Sequence, residues 1–376
     1  MNKILSISFS LTLVLSTFYY TTSFSFYGFS LYGPIILTII MTPFVKRIKN
    51  KSLYILIIPF IAVLSYLLSK GHILDEDINN IKINSLIIIT WGSLLFILTS
   101  GINEVLKSGT LDSIVKYTIL IHISISLSQL ILWYLFSIDL DISSIFNGQG
   151  HRPHYYGIYR ITGVFDEPAI YSIFIVSLCF IRYYLSGKND IVNYIALLTV
   201  FISISFIGII IAALYLIIST TIKKSISFTL VIIFCFLILN LIYPEIIDSI
   251  SNRISALSNG SDGSTNFKYL YLTFWMDDIH RILFGNGFVG YFEGKPQFFE
   301  STFDLSFIIT TITTFGVILA PPLLVTFYFL IFKNQSIRIK LLILVISLKL
   351  ATIVLPFFWL FIGIIFSYEK IKNNSR

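Results

Sequence analysis

Long apolar runs alternate with short polar ones along this chain, and most of the runs have the length of a bilayer crossing. They cover residues 4–20, 27–45, 52–69, 83–101, 115–138, 168–186, 191–204, 206–222, 226–243, 312–332, 341–354 and 356–368. About 18 or more apolar residues can cross the ~30 Å hydrocarbon core as an α-helix. Within lipid, only elements that satisfy their own backbone hydrogen bonds persist. The pattern predicts an all-α polytopic membrane protein of about 12 transmembrane helices, a single integral membrane domain over residues 1–376. Two divisions rest on short signals. Ser203-Ile204-Ser205 splits the run 191–222, and Pro356 splits 341–368, because proline disrupts the helix that precedes it.

Two long polar loops interrupt the runs, at about 139–167 and 244–304. Between them they hold Arg152, Arg160, Arg253 and Arg281 together with His151, His154 and His280. Spanning a membrane requires none of these. Charged and aromatic side chains gathered at one membrane face point to something handled there.

Composition agrees with the membrane class. Hydrophobic residues make up 56% of the chain and charged residues 12%, against about 25% charged in soluble domains. Mean hydropathy is +0.87. With the N-terminus inside, 17 of the 26 basic residues fall in cytoplasmic segments and eight in external ones. That asymmetry is the positive-inside signal. It puts both termini in the cytoplasm and both long loops outside. The net charge of +7 therefore reports topology and not nucleic-acid binding, which would interleave basic and aromatic residues on one face. Cys179 and Cys235 both fall mid-run, so no disulfide framework or zinc spacing exists. Lys3 before an apolar run looks like a signal peptide, but no small-residue cleavage site follows Tyr20, which favours an uncleaved first helix.

The first loop carries Arg160 seven residues before Glu167, followed by Pro168. Proline suits the first turn of a helix, so Asp166 and Glu167 sit at a helix N-terminus, where negative charge is favoured. Two readings stand: capping carboxylates beside an interfacial anchor, or an arginine clamp for an anion beside a carboxylate. The arginine fork suits phosphate and stays charged. Arg152, between histidine and proline, reads as loop exterior. Tyr159 suits sugar stacking or an interfacial aromatic belt. In the second loop, residues 267–276 read as a membrane-lying segment, with Asp277-Asp278-Ile279-His280-Arg281 after it. Asp277, Asp278 and His280 could hold a metal, as could His151 with His154, but neither set has a complete ligand spacing. Gly285-Asn286-Gly287-Phe288-Val289-Gly290 matches a dinucleotide pattern literally, without the strand and helix that pattern needs. His122 and Lys349 lie within runs, and intramembrane ionisable groups are functional candidates by default. The alternatives are a buried hydrogen-bonded histidine and a lysine reaching up to the external interface.

Three segments together resemble the O-antigen polymerases, within the wider O-antigen ligase and polymerase group. The first is Arg160-Ile161-Thr162-Gly163-Val164-Phe165-Asp166-Glu167-Pro168. The second is the long late loop with Arg253 near its start and Gly285-Asn286-Gly287 near its end. The third is Asp304-Leu305-Ser306 leading to Phe315-Gly316. The layout covers the whole chain, and the motifs are short. The histidine that ligases carry before the tenth span is replaced by Glu300-Ser301-Thr302-Phe303-Asp304, which favours the polymerase. The resemblance implies a GT-C-like fold in a bacterial inner membrane and transfer of an undecaprenyl-pyrophosphate-linked oligosaccharide at the periplasmic face. It implies no metal and no other cofactor. Membrane lipid and a chain-length regulator are the further partners it implies. Arg160 and Arg253 would hold the pyrophosphate, with Arg281, Lys268 and Tyr159 as further substrate contacts. Glu167 is the first candidate base, with Asp304 and His280 behind it. The alternatives are a ligase, another lipid-linked sugar transferase and a flippase. A flippase would be expected to show internal repeats.

Overall fold

The computed structural model describes residues 2–17, 23–26, 29–32, 42–44, 50–69, 76–102, 108–145, 151–155, 158–242, 251–252, 255–256, 258–260, 262–288, 297–350 and 353–374. About 81% of the described residues are helical. Among the described residues, four segments are long and apolar enough to cross a membrane: Asn50–Leu68, Gly109–Phe136, Pro168–Ser186 and Phe307–Phe332. Five shorter apolar helices accompany them among the described residues.

The helices are α1 (Asn2–Thr17), α2 (Ile57–Ser69), α3 (Glu76–Ile102), α4 (Ser108–Phe136), α5 (Pro168–Ser186), α6 (Ile191–Ile202), α7 (Phe206–Ser219) and α8 (Ile222–Ile242), then α9 (Gly263–Met276), α10 (Ile279–Phe284), α11 (Phe307–Phe327), α12 (Ile337–Ser347) and α13 (Pro356–Asn374). Two short antiparallel ribbons, β1–β2 (Ser23–Phe26 with Phe29–Tyr32) and β3–β4 (His154–Tyr155 with Ile158–Tyr159), and several short helical turns, among them Ile142–Ile145 and Gln297–Phe303, lie between the helices. The first ribbon occupies the start of the run expected to cross at 27–45. Most of the rest of that run lies outside the described residues.

Helix α5 is the centre of the bundle. Every residue from Tyr171 to Tyr184 is buried, as befits a helix apolar on all sides. Helices α4, α6, α7, α12 and α13 pack around it. One end of this bundle is locked by Arg182. Its guanidinium meets Asp112 of α4 at 3.1 Å, Asp190 before α6 at 2.6 Å and Asn193 at 2.9 Å. Removing one member of a buried ion network of this kind costs about 3–5 kcal/mol. Tyr184 at the same end donates to the Ile365 carbonyl of α13 and accepts from Gln335.

Both expected divisions are present. Helix α6 stops at Ile202, Ile204 takes a left-handed φ of 50°, and Ser205 caps α7 by accepting from the Gly208 N–H. The two helices have 12 and 14 residues, a rise of about 18–21 Å at 1.5 Å per residue. They are shorter than full crossings of a ~30 Å core. Helix α12 leaves the Arg182 end, the chain reverses after Ser347, and α13 restarts at Pro356. Lys349 lies in that reversal, at the end of the bundle opposite Arg182.

Helix α11 is broken at Gly316, whose φ is 71° and ψ 169°. The segment Gly285–Gly287 fills the break: the Asn286 and Gly287 N–H groups donate to the Thr313 and Thr314 carbonyls at 2.8 and 2.9 Å. These bonds satisfy carbonyls that a broken helix would leave unpaired. A Cβ on Gly285 would lie 2.2 Å from the Thr314 oxygen, and one on Gly316 would lie 2.3 Å from the Leu283 oxygen. Both contacts are to backbone, so neither position has room for a side chain. Two of the sequence segments that carried the resemblance thus meet in space.

Candidate functional site

The site forms at the end of the bundle opposite Arg182, and the loop 151–167 builds one wall of it. Gln129, fully buried in α4, holds that loop. Its amide oxygen accepts from the N–H groups of Thr162 and Gly163 at 3.2 and 2.8 Å. Its nitrogen donates to the carbonyls of Gly163 and Leu140 at 2.9 and 3.0 Å. Gly163 turns the chain with a φ of 61°, where a Cβ would strike the Tyr171 ring at 2.7 Å. Glu167 follows as the N-cap residue of α5.

Its side chain makes no capping bond, which removes the capping reading for Glu167. The carboxylate turns instead to Arg152, with Nη1 to Oε1 at 3.3 Å. Sequence reasoning set Arg160 beside Glu167 and placed Arg152 on the loop exterior; Arg152 is indeed exposed, yet it and not Arg160 is the arginine bonded to Glu167. The backbone explains the exchange: the Arg152 N–H donates to the Asp166 carbonyl at 2.7 Å, so the β3–β4 ribbon returns Arg152 beside the helix start. Arg160 meets the carbonyls of Pro153 and Arg152 at 3.5 and 3.4 Å and braces the ribbon.

A second carboxylate comes from the turn before α11. Asp304 pairs with the ammonium of Lys349, whose side chain is only 8% exposed. The charges acting most strongly on Glu167 are Asp304, Asp166, Lys349 and Arg152. Burial, then the neighbouring Asp304 and Asp166 charges, pushes the Glu167 carboxyl above its usual range, against the pull of Lys349 and Arg152. Burial also raises Asp166, whose Oδ1 has no hydrogen-bond partner. Lys268 of α9 belongs to the same group. Burial lowers its ammonium, while Asp304, Asp262 and Glu167 act the other way. Four polypeptide segments therefore converge on one cluster: the loop before α5, the turn before α11, the reversal between α12 and α13, and α9.

Lys349 is the residue that sequence reasoning came closest to missing. Its one signal was a charge inside an apolar run. Gln129, polar but uncharged inside its run, gave a weaker signal and was passed over. His122 behaves as the buried hydrogen-bonded histidine, with Nε2 2.9 Å from the Thr17 hydroxyl.

Three candidates are engaged elsewhere. Arg281 folds back on α9: it sits 3.9 Å above the Phe274 ring, bonds the Phe274 carbonyl and pairs with Asp278 at 3.4 Å. It joins α9 to α10. The His280 imidazole lies against Phe284 at 4.9 Å. Tyr159 is 2% exposed and stacked on Trp133 at 4.7 Å, so its ring offers no free face to a sugar. Burial and the Asp139 carboxylate hold its hydroxyl protonated. Arg253 lies outside the described residues.

The cluster can accept a proton at a carboxylate and stabilise developing negative charge with cations a few ångströms away. Comparison with family models, with curated proteins and with solved structures gives no match for this chain.

Proposed function

We propose that this protein is a polymerase of the O-antigen type, a glycosyltransferase working at the outer face of a bacterial inner membrane. In this reading the chain crosses about 12 times with both termini in the cytoplasm, and the Arg182 end faces inward. The donor is a glycan on undecaprenyl pyrophosphate, and the acceptor is a hydroxyl on the next lipid-linked repeat. The single observation that carries the reading is the meeting of Glu167, Asp304, Lys349, Lys268 and Arg152 at one end of the bundle.

The chemistry follows from that cluster. The acceptor hydroxyl attacks the anomeric carbon and gives its proton to the Glu167 carboxylate. The bond between that carbon and the phosphate oxygen breaks, and the lipid pyrophosphate leaves with the electron pair. Fixed cations stabilise the charge that develops on the leaving group. Lys349, Lys268 and Arg152 take the role that the resemblance gave to Arg160, and Arg253 remains a further candidate. A general base of this kind contributes about 10²–10⁴-fold.

Purified protein supplied with the extracted lipid-linked repeat is expected to lengthen it, and Glu167→Gln to lower the rate at least 100-fold, the lower end of that range. Full activity of Glu167→Gln at normal protein levels would remove Glu167 as the base. No lengthening by the intact protein would remove the polymerase.

A further inference from the structure

Three helix ends meet at this cluster, and their chemistry is unequal. Glu167 is at the start of α5, Asp304 is two residues before Ser306, the N-cap of α11, and Lys349 lies just past the C-terminus of α12. Helix starts favour negative charge and helix ends favour positive charge, so each of the three side chains sits at the kind of helix end that suits its sign. Beyond burial, negative charge from Asp304 and Asp166 raises the Glu167 carboxyl, as like charges at one site do. Lys349 offsets that repulsion. It is buried at the bundle end, paired directly with Asp304, and also acts on Glu167. Asp304 has the cation in direct contact, whereas Glu167 has Arg152 at 3.3 Å on its more exposed side.

We infer that Lys349 is a positioning residue that, through its ion pair with Asp304, joins Asp304 and Glu167 into one charge-coupled unit and leaves Glu167 to carry the transferable proton. This rests on the reading of Glu167 as the base. The groups facing Glu167 are Asp166 from its own loop, Arg152 from the ribbon, Asp304 before α11, Lys349 after α12 and Lys268 from α9. Of the three cations, Lys349 alone bonds Asp304 directly. Loss of Lys349 leaves Asp304 unneutralised beside Glu167, so Glu167 holds its proton to higher pH. Loss of Asp304 has the opposite sign.

Infrared difference spectroscopy of the purified full chain tests this without any substrate. The carboxyl C=O band that disappears in Glu167→Gln belongs to Glu167, and its intensity is followed through a pH titration. In Lys349→Gln the midpoint should rise by about one pH unit or more, the scale of a charge a few ångströms away. In Asp304→Asn it should fall. The double variant should return toward the wild type, and Lys349→Arg should titrate like it. A midpoint unmoved in Lys349→Gln overturns the inference, and so does a midpoint that shifts equally in Lys349→Arg. If Lys349→Gln does not fold, Asp304→Asn decides alone: an unmoved or raised Glu167 midpoint overturns the coupling. These outcomes are separate from glycan lengthening. A chain that titrates as described but lengthens no glycan keeps the coupling and loses the polymerase.

Discussion

Replacing Gln129 with methionine should release the loop that carries Glu167 while leaving the opposite end of the bundle intact. The perturbation is clean, because methionine nearly matches glutamine in length and removes only its polar atoms. Gln129 is fully buried, and so are Thr162 and Gly163. The amide oxygen holds two backbone N–H groups, at 3.2 and 2.8 Å. Each buried N–H left unpaired costs about 1–3 kcal/mol, so the loop loses about 2–6 kcal/mol of local stability. Water entering the site would hold the loss near the lower bound. At about 1.4 kcal/mol per factor of ten, 2 kcal/mol is about a thirtyfold rise in loop opening. Amide hydrogen exchange of the purified protein reads this directly. The segment 160–167 should exchange about thirtyfold faster or more, and the segment 182–193 around Arg182 should not change. Unaltered exchange at 160–167 would refute the role of Gln129 as the loop's anchor.

Other expectations follow from the same contacts. Gly316→Ala should abolish folded protein, since its Cβ would meet backbone at 2.3 Å, whereas Gly109→Ala, with open space around it, should express normally; detergent-solubilised yield by size exclusion separates them. Arg152→Ala should lower glycan lengthening at least as much as Arg160→Lys, because Arg152 is the arginine on Glu167; a fully active Arg152→Ala with an inactive Arg160→Lys would restore the original pairing. The raised Glu167 carboxyl makes activity and stability move in opposite directions with pH. Activity needs the carboxylate, so it should fail on acidification at higher pH than an ordinary glutamate would allow. The stability tied to its protonated form is full below the unfolded value of 4.5 and is lost as pH rises through the folded value. Glu167→Gln should therefore melt higher than the wild type at neutral pH while remaining inactive, and a lower melting temperature would contradict the burial argument.

The membrane class and the two late divisions were legible because each has a local cause. Pro356 cannot continue a helix, and the serines of 203–205 offer caps. The position of Glu167 at a helix start was legible from Pro168 for the same reason. The pairing of Arg152 with Glu167 was not, because it depends on a ribbon register that brings residues 15 apart together. Asp304 and Lys349 are 45 apart, and nothing local joins them. The packing of Tyr159 and Arg281 was not legible from residue type, because aromatic and guanidinium groups serve packing as readily as ligands and only their surroundings show which. The fit of Gly285–Gly287 into the break at Gly316 was present in the sequence only as two glycine motifs without a stated relation.

The most direct measurement of the central claim is the lipopolysaccharide of a strain lacking this gene, complemented with wild type or Glu167→Gln. Single repeats would still reach the outer face and be ligated, so the lipopolysaccharide should bear one repeat and no ladder, with the ladder restored by the wild type and not by Glu167→Gln. Long polymer retained on the undecaprenyl carrier would contradict it and make the protein a ligase; repeats held at the cytoplasmic face would make it a flippase.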